Sequence, residues 1–196
     1  MRKTKIAFDL DGTLIDLLPP INKWLYNLHG VKFNNNDKSE FSMEISTGLS
    51  SDELWKVFRR AYKEIETTPI FPGATELLTK LYEKTNEPPL IITARPHDSA
   101  SDTYAIMEKI MGNIPFQLIL KHPNAYKSQY LNGYIWYVED RRKTALELSK
   151  LGFVIPLIKT NYNYIPDIDE HDNIYYIDGV HELIPHIDNF ISGEPN

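Results

Sequence analysis

The chain has 196 residues, 42% of them hydrophobic and 24% charged, with a net charge of −6 and no cysteine. These proportions suit a globular domain with room for a small insertion or cap, and they exclude a disulfide framework or a thiolate metal site. The acidic balance argues against a broad nucleic-acid or anionic-membrane surface, so phosphate chemistry would have to draw on a metal and a few placed Lys or Arg.

Met1-Arg2-Lys3 leads into an apolar run too short for a signal-peptide core, and no run approaches membrane-spanning length; a cytoplasmic protein is the expectation. Ile6, Ala7 and Phe8 predict a buried strand that runs straight into Asp9, Asp11, Gly12 and Thr13. After Pro19-Pro20, a helix carries Ile21, Trp24, Leu25 and Leu28 on one face and ends at Gly30. Residues 31–50 read as loop. Ser51 is the predicted N-cap of a helix with Leu54, Trp55, Phe58, Ala61 and Tyr62, aromatics assigned to the core of a small helical unit. Residues 15–70 thus form a predicted helical insertion.

Pro72-Gly73 opens a helix with Ala74, Leu77, Leu78 and Leu81 buried, and Leu90-Ile91-Ile92 is a second strand ending in Thr93-Ala94-Arg95. A helix from Ser99 to Met111 and a strand from Phe116 to Leu120 follow, then Lys121-His122-Pro123, a short segment from Lys127 to Leu131 and the turn Asn132-Gly133. The fourth strand, Tyr134 to Val138, ends in Glu139-Asp140; a helix from Lys143 to Leu151 stops at Gly152, and strands are predicted over 153–158 and 174–177. Glu182 to Ile191 is a closing amphipathic segment broken by Pro185. Strands alternating with helices predict a doubly wound parallel α/β sheet, and the polar residues after its first, second and fourth strands, with Lys127 just before the fourth, would meet at one sheet edge.

Two acids such as Asp9 and Asp11 are costly together unless a cation or a shared proton relieves them, although Asp and Gly also make ordinary turns. The Thr93 hydroxyl and nearby N–H groups can bind phosphate oxygens or simply end a strand. Glu139-Asp140 can hold a hard cation or cap the next helix.

Phe8-Asp-Leu-Asp-Gly-Thr-Leu14 resembles motif I of the haloacid dehalogenase superfamily, mostly Mg2+-dependent phosphohydrolases. The resemblance implies a Rossmannoid core over 1–14 and 71–196 with a type 1 helical cap over 15–70. It makes Asp9 the nucleophile and Asp11 the general acid and base. Thr93, with Ala94 and Arg95, resembles motif II and would bind phosphate; Arg95 contacts either phosphate or a group held by the cap. Lys127, in Lys-Ser-Gln-Tyr-Leu-Asn-Gly, resembles motif III of deoxyribonucleotidase-like members, whereas Lys121-His122-Pro123 resembles the Lys-Pro form of other branches; Lys127 is preferred, with Lys121 left to face the substrate or solvent. Glu139-Asp140 resembles motif IV, so Mg2+ would be held by Asp9, the Asp11 backbone carbonyl and Asp140, with Glu139 acting through a water.

Ile91-Ile92-Thr93-Ala94-Arg95, Glu139-Asp140-Arg141 and Lys159-Thr160-Asn161-Tyr162-Asn163 resemble the 5'(3')-deoxyribonucleotidase-like branch and related bacterial nucleotidases. The expected activity is phosphomonoester hydrolysis through an aspartyl-phosphate, on a phosphorylated small molecule such as a nucleoside 5'-monophosphate. The alternatives are a nucleic-acid-end phosphatase, a small-metabolite phosphatase or phosphomutase of the same fold, and a non-catalytic phosphoryl-ligand binder. His181 and His186 are five apart with Pro185 between them, which does not make a zinc helix, and the acidic stretch 167–172 lacks the glycine of a calcium loop.

Overall fold

Ile6–Phe8 has no polar residue to offer solvent, and as strand β1 it is buried on both faces. The computed structural model describes residues 5–33, 43–122, 124–160, 163 and 173–193. β1 lies between β2 (Leu90–Thr93) and β4 (Trp136–Val138), with β3 (Gln117–Leu120) outside β2 and every pairing parallel. β5 (Ile155–Ile158) and β6 (Ile174–Ile177) pair in parallel, and parallel bridges from Trp136 to Val154 and from Glu139 to Leu157 join them to β4. The order is therefore β3-β2-β1-β4-β5-β6, and it reverses between β1 and β4, where open α/β sheets place ligands outside their carboxyl ends.

Alternation along the strands divides the core. Ile6, Phe8, Ile91, Trp136 and Val138 pack with α4 (Ala74–Thr85), α5 (Ala100–Met111), the 3-10 segment Val180–His186 and α7 (Ile187–Ser192). Ala7, Leu90, Ile92, Tyr137, Ile155 and Leu157 face the other way, onto Ala145 and Leu148 of α6 (Arg142–Ser149). No helix among the described residues is long and apolar enough to cross a membrane.

Between β1 and α4 the described residues form three helices, α1 (Leu18–His29), α2 (Met43–Thr47) and α3 (Ser51–Ala61). They have their own apolar cluster, in which Leu17, Ile21, Leu25, Met43, Leu54, Val57, Ala61 and Tyr62 are buried together. The chain enters and leaves this unit side by side. Asp16 N–H donates to the Pro69 carbonyl and Phe71 N–H to that of Leu14, both at 2.9 Å. Lys109 of α5 ties down the returning segment by donating to the carbonyls of Ile65, Glu66 and Thr68 at 2.9–3.1 Å.

The differences from the sequence reading are local. α2 forms inside the stretch read as loop, because Met43 supplies an apolar anchor to the helical cluster. Ser50, not Ser51, caps α3: its hydroxyl accepts from Glu53 N–H while the Glu53 carboxylate accepts from Ser50 N–H, a reciprocal capping box. Ser51 instead donates to Glu44. β5 begins at Ile155 because Phe153 N–H still closes the end of α6, donating to the Leu148 carbonyl at 3.2 Å. β4 begins at Trp136 and β3 at Gln117, each one or two residues later than read.

Leu25 is fully buried in the helical cluster. Leu25→Ala should cost roughly 2–5 kcal/mol in urea unfolding followed by tryptophan fluorescence, since Trp24 and Trp55 report on this unit. A loss below about 0.5 kcal/mol would mean the three helices do not share a packed core.

Candidate active site

Asp9 is the first residue past β1, and its N–H extends the ladder by donating to the Val138 carbonyl at 2.9 Å. The chain then folds tightly: the N–H groups of Thr13, Leu14 and Ile15 all reach the Leu10 carbonyl, at 2.9–3.3 Å. Gly12 permits this turn. Its φ is +82°, and a Cβ there would collide with the Asp140 carboxylate. The backbone beside Asp9 and the carboxylate after β4 are therefore packed against each other. Thr13 is fully buried, and its hydroxyl has no partner among the described residues.

Lys127 opens a short 3-10 segment, Lys127–Tyr130, that precedes β4. Its buried Nζ donates to Asp9 Oδ1 at 2.6 Å and to Glu139 Oε2 at 2.9 Å. The ammonium also lies 4.9 Å above the ring of Tyr137, whose hydroxyl is anchored on the Ile92 carbonyl at 3.0 Å. The other Glu139 oxygen accepts from the N–H groups of Asp140 and Arg141, at 3.1 and 3.0 Å. Both oxygens of Glu139 thus have protein partners.

These unequal partnerships set the charges. Burial opposes ionisation of both carboxyls; at Glu139 it is overcome by Lys127 and the two N–H donors, which hold this group below its ordinary value. Asp9 is pushed up to about 7 by burial, offset only in part by Lys127 and reinforced by the charges of Glu139 and Asp11. Burial also disfavours the Lys127 cation, but Asp9 and Glu139 outweigh it and hold the ammonium well above its ordinary value.

Asp9, Glu139 and Asp140 are all buried, and their carboxylate oxygens come within 4.8 Å of one another. An all-carboxylate set suits a hard cation such as Mg2+, which binds oxygen and keeps several waters. Glu139 is already committed to Lys127 and the backbone, so Asp9 and Asp140 are the two candidates for direct ligands. A divalent cation beside Asp9 would offset the burial and the neighbouring carboxylate charges that raise it.

Thr93 ends β2, buried, and its hydroxyl oxygen accepts from Arg95 N–H at 3.2 Å, which leaves the hydroxyl proton to donate elsewhere. Ala94 is exposed on the cavity wall. Arg95 grips Asp11 with both prongs of its guanidinium, Nε at 3.0 and 3.2 Å and NH2 at 2.7 Å, while its face stacks 4.4 Å from the ring of Tyr62. It is only 2% exposed, and its NH1 has no protein partner among the described residues. Lys121 points its Nζ at the carbonyls of His122 and Ala125, at 3.2 and 3.0 Å. All these groups open onto one cavity of about 970 Å³, walled on the helical side by Ile21, Trp55, Phe58 and Tyr62.

Of the residues singled out in the sequence, Asp9, Lys127, Glu139 and Asp140 are in one cluster, with Asp11 and Arg95 paired beside it and Thr93 at the same edge. Lys121 lines the cavity but does not reach Asp9 as Lys127 does. The Arg95–Asp11 grip was not legible, nor was the buried carboxamide of Asn163, which bonds the Asp140 carbonyl. His181 and His186 are exposed, and stretch 167–172 lies outside the described residues.

No family model matches the chain. It is 26% identical over 189 residues to a nucleotidase of Clostridium acetobutylicum, with 94% of this chain and 95% of that protein covered. Among solved structures, a haloacid dehalogenase-like hydrolase from Streptococcus pneumoniae superposes with a TM-score of 0.62 at 18% identity, covering 93% of this chain and 97% of that one. The CbbY protein of Rhodobacter sphaeroides, solved with phosphate, gives 0.63 at 12% identity, with 95% and 100% covered. A hydrolase from Pseudomonas syringae gives 0.59 at 17% identity, with 95% and 99% covered.

A cation held between Asp9 and Asp140 implies a measurable gain. Mg2+ at about tenfold its dissociation constant should stabilise the protein by about 1.4 kcal/mol, a rise of about 3–5 °C in thermal midpoint. Gly12→Ala, which drives a methyl into the Asp140 carboxylate, should erase that rise. An undiminished shift in the variant would place the cation elsewhere.

Proposed function

Starting from the haloacid dehalogenase-like hydrolase fold that this chain has, we propose that it is a Mg2+-dependent phosphomonoester hydrolase acting on a nucleoside 5'-monophosphate. The observation that carries the reading is the buried Lys127 ammonium placed on Asp9, with Asp140 alongside. A carboxylate is already ionised when freed of a proton shared with its neighbours, so it serves as a nucleophile without a separate base.

Asp9 attacks phosphorus and the bond to the leaving oxygen breaks, while Asp11 gives that oxygen its proton. The product is an alcohol and an aspartyl-phosphate on Asp9. Water then attacks phosphorus, Asp11 takes its proton, the acyl–phosphate bond breaks, and inorganic phosphate leaves with the Asp9 carboxylate restored. Lys127 neutralises phosphate charge, and the Thr93 hydroxyl donates to a phosphate oxygen. A bound Mg2+ would supply further neutralisation of the phosphate. The helical unit between residues 15 and 70 serves as the cap over the cavity, keeping water out and meeting the leaving group.

The nucleotide preference rests on two supports. One is the nucleotidase name of the Clostridium relative. The other is the cavity: its 970 Å³ accommodates a nucleoside, and its cap side is aromatic, with Trp55 left 46% exposed. A second reading, a nucleic-acid-end phosphatase, is favoured by a separate basic depression on the cap formed by His29, Lys56, Arg59, Arg60 and Lys63.

Phosphate release from nucleoside monophosphates, sugar phosphates and 3'-phosphorylated oligonucleotides, with and without chelator, tests these readings together. The expected result is Mg2+-dependent turnover with nucleoside monophosphates leading the panel, and Asp9→Asn below about one-thousandth of the parent rate. Preference for oligonucleotides, weakening steeply with salt, would move the assignment to the second reading. Full activity in Asp9→Asn would end the mechanism.

A further inference from the structure

Asn163 is a polar residue just beyond β5, yet it is only 1% exposed and every polar group of its carboxamide is bonded. Nδ2 donates to the Asp140 carbonyl at 2.5 Å and to the Ile158 carbonyl at 2.6 Å, and Oδ1 accepts from Thr160 N–H at 2.8 Å. The orientation is fixed by chemistry: two carbonyl acceptors require the NH2, and the backbone N–H requires the oxygen. The main chain of Asn163 is held as well, its carbonyl accepting from the Tyr176 hydroxyl of β6 at 2.9 Å. One carboxamide therefore links the ends of β4 and β5, with β6 behind it.

The consequence falls on Asp140. Its N–H is held by Glu139 Oε1 and its carbonyl by Asn163, so its backbone is fixed on both sides. Its side chain is then aimed at Gly12 and into the acidic group with Asp9. We infer that Asn163 is a positioning residue for the cation site, setting the Asp140 carboxylate at the distance from Asp9 that a divalent cation needs. This rests on the reading of Asp9 and Asp140 as cation ligands. Asn163 touches neither substrate nor cation; it acts through the carbonyl of the residue that does. Partners of this kind typically govern metal affinity by 10–100-fold.

Calorimetric titration with Mg2+ alone, on the full chain without substrate, tests the inference. Asn163→Ala should weaken Mg2+ binding by about 10–100-fold, and Asn163→Ser, whose hydroxyl can still serve one carbonyl, by less. Turnover in both should recover toward the parent as Mg2+ is raised, with the KM for the phosphomonoester unchanged. Tyr176→Phe, which removes the bond to the Asn163 main chain but spares the carboxamide, should bind Mg2+ within about twofold of the parent. Should Asn163→Ala fail to fold, Asn163→Ser carries the comparison. A folded Asn163 variant with parental Mg2+ affinity overturns the inference. A parent that binds no Mg2+ overturns it together with the cation reading. A parent that binds Mg2+ but cleaves no phosphomonoester overturns the proposed activity alone, and the affinity comparison still decides the role of Asn163.

Discussion

The ammonium of Lys127 is bonded to Asp9 and to Glu139 at once, and the carboxyl edge of the sheet is built around that sharing. Ions out of water are tolerated only when their hydrogen-bonding capacity is met. The fold meets it with three separate segments: the turn after β1, the 3-10 segment before β4 and the first residues after β4. The last two lie close in sequence, Lys127 and Glu139 being 12 residues apart, but Lys127 and Asp9 are 118 residues apart. The parallel sheet is what makes the meeting possible, since β1 and β4 are hydrogen-bonded neighbours whose ends point the same way. Tyr137, buried beneath the ammonium and tied to β2, closes the floor of the site and links it to the core.

The sharing is unequal, and that inequality assigns the two acids different work. Glu139 has two N–H donors besides its lysine and keeps its charge; it orients Lys127 and is itself held. Asp9 accepts from the lysine and is raised by its burial, which sets it apart from Glu139. At the sheet edge, the four acidic side chains of Asp9, Asp11, Glu139 and Asp140 outnumber the two cations, Lys127 and Arg95, that are bonded among them. A dianionic phosphate arriving there would deepen the excess. A divalent cation between Asp9 and Asp140 would offset it, and would let an acidic chain carry the proposed phosphate chemistry without a broadly basic surface.

How much of this was legible in the sequence follows from what each residue depends on. Asp9, Asp11, Thr93 and the Glu139-Asp140 pair follow short apolar runs, and the geometry of a parallel sheet carries residues after such runs to one edge. Lys127 was legible by its place before β4. The Arg95–Asp11 grip was not, because it joins loops after two different strands and depends on side-chain rotamers that no local pattern encodes. Asn163 stood out only as the end of a segment, 159–163, that resembles one in nucleotidases; its inward turn and its partners depend on the proximity of the ends of β4 and β5, which no local pattern encodes. The misplaced cap of α3 is a different case. Ser50 and Ser51 are equally good caps by type, and the spacing from Ser50 to Glu53 was the available discriminator.

The remaining link is between the helical unit and the sheet edge. Tyr62, at the end of α3, belongs to the apolar cluster of the helical unit and at the same time has the Arg95 guanidinium carbon 4.4 Å from its ring centroid. Arg95 in turn fixes both oxygens of Asp11. A carboxylate gripped at both oxygens can exchange a proton with a leaving group or a water only as one of those bonds gives way, so the firmness of the grip bears on every proton transfer assigned to Asp11. The Tyr62 ring, in contact with the guanidinium, adds a cation–π contact that helps hold the fork in place. The position of the helical unit is itself restrained, by the backbone bonds between segments 14–16 and 69–71 and by Lys109 on the returning carbonyls. The packing of the helical unit and the orientation of the Asp11 carboxylate are thus parts of one chain of contacts, running from apolar packing in α1 and α3 through the Tyr62 ring and the Arg95 fork to the carboxylate proposed to handle the proton.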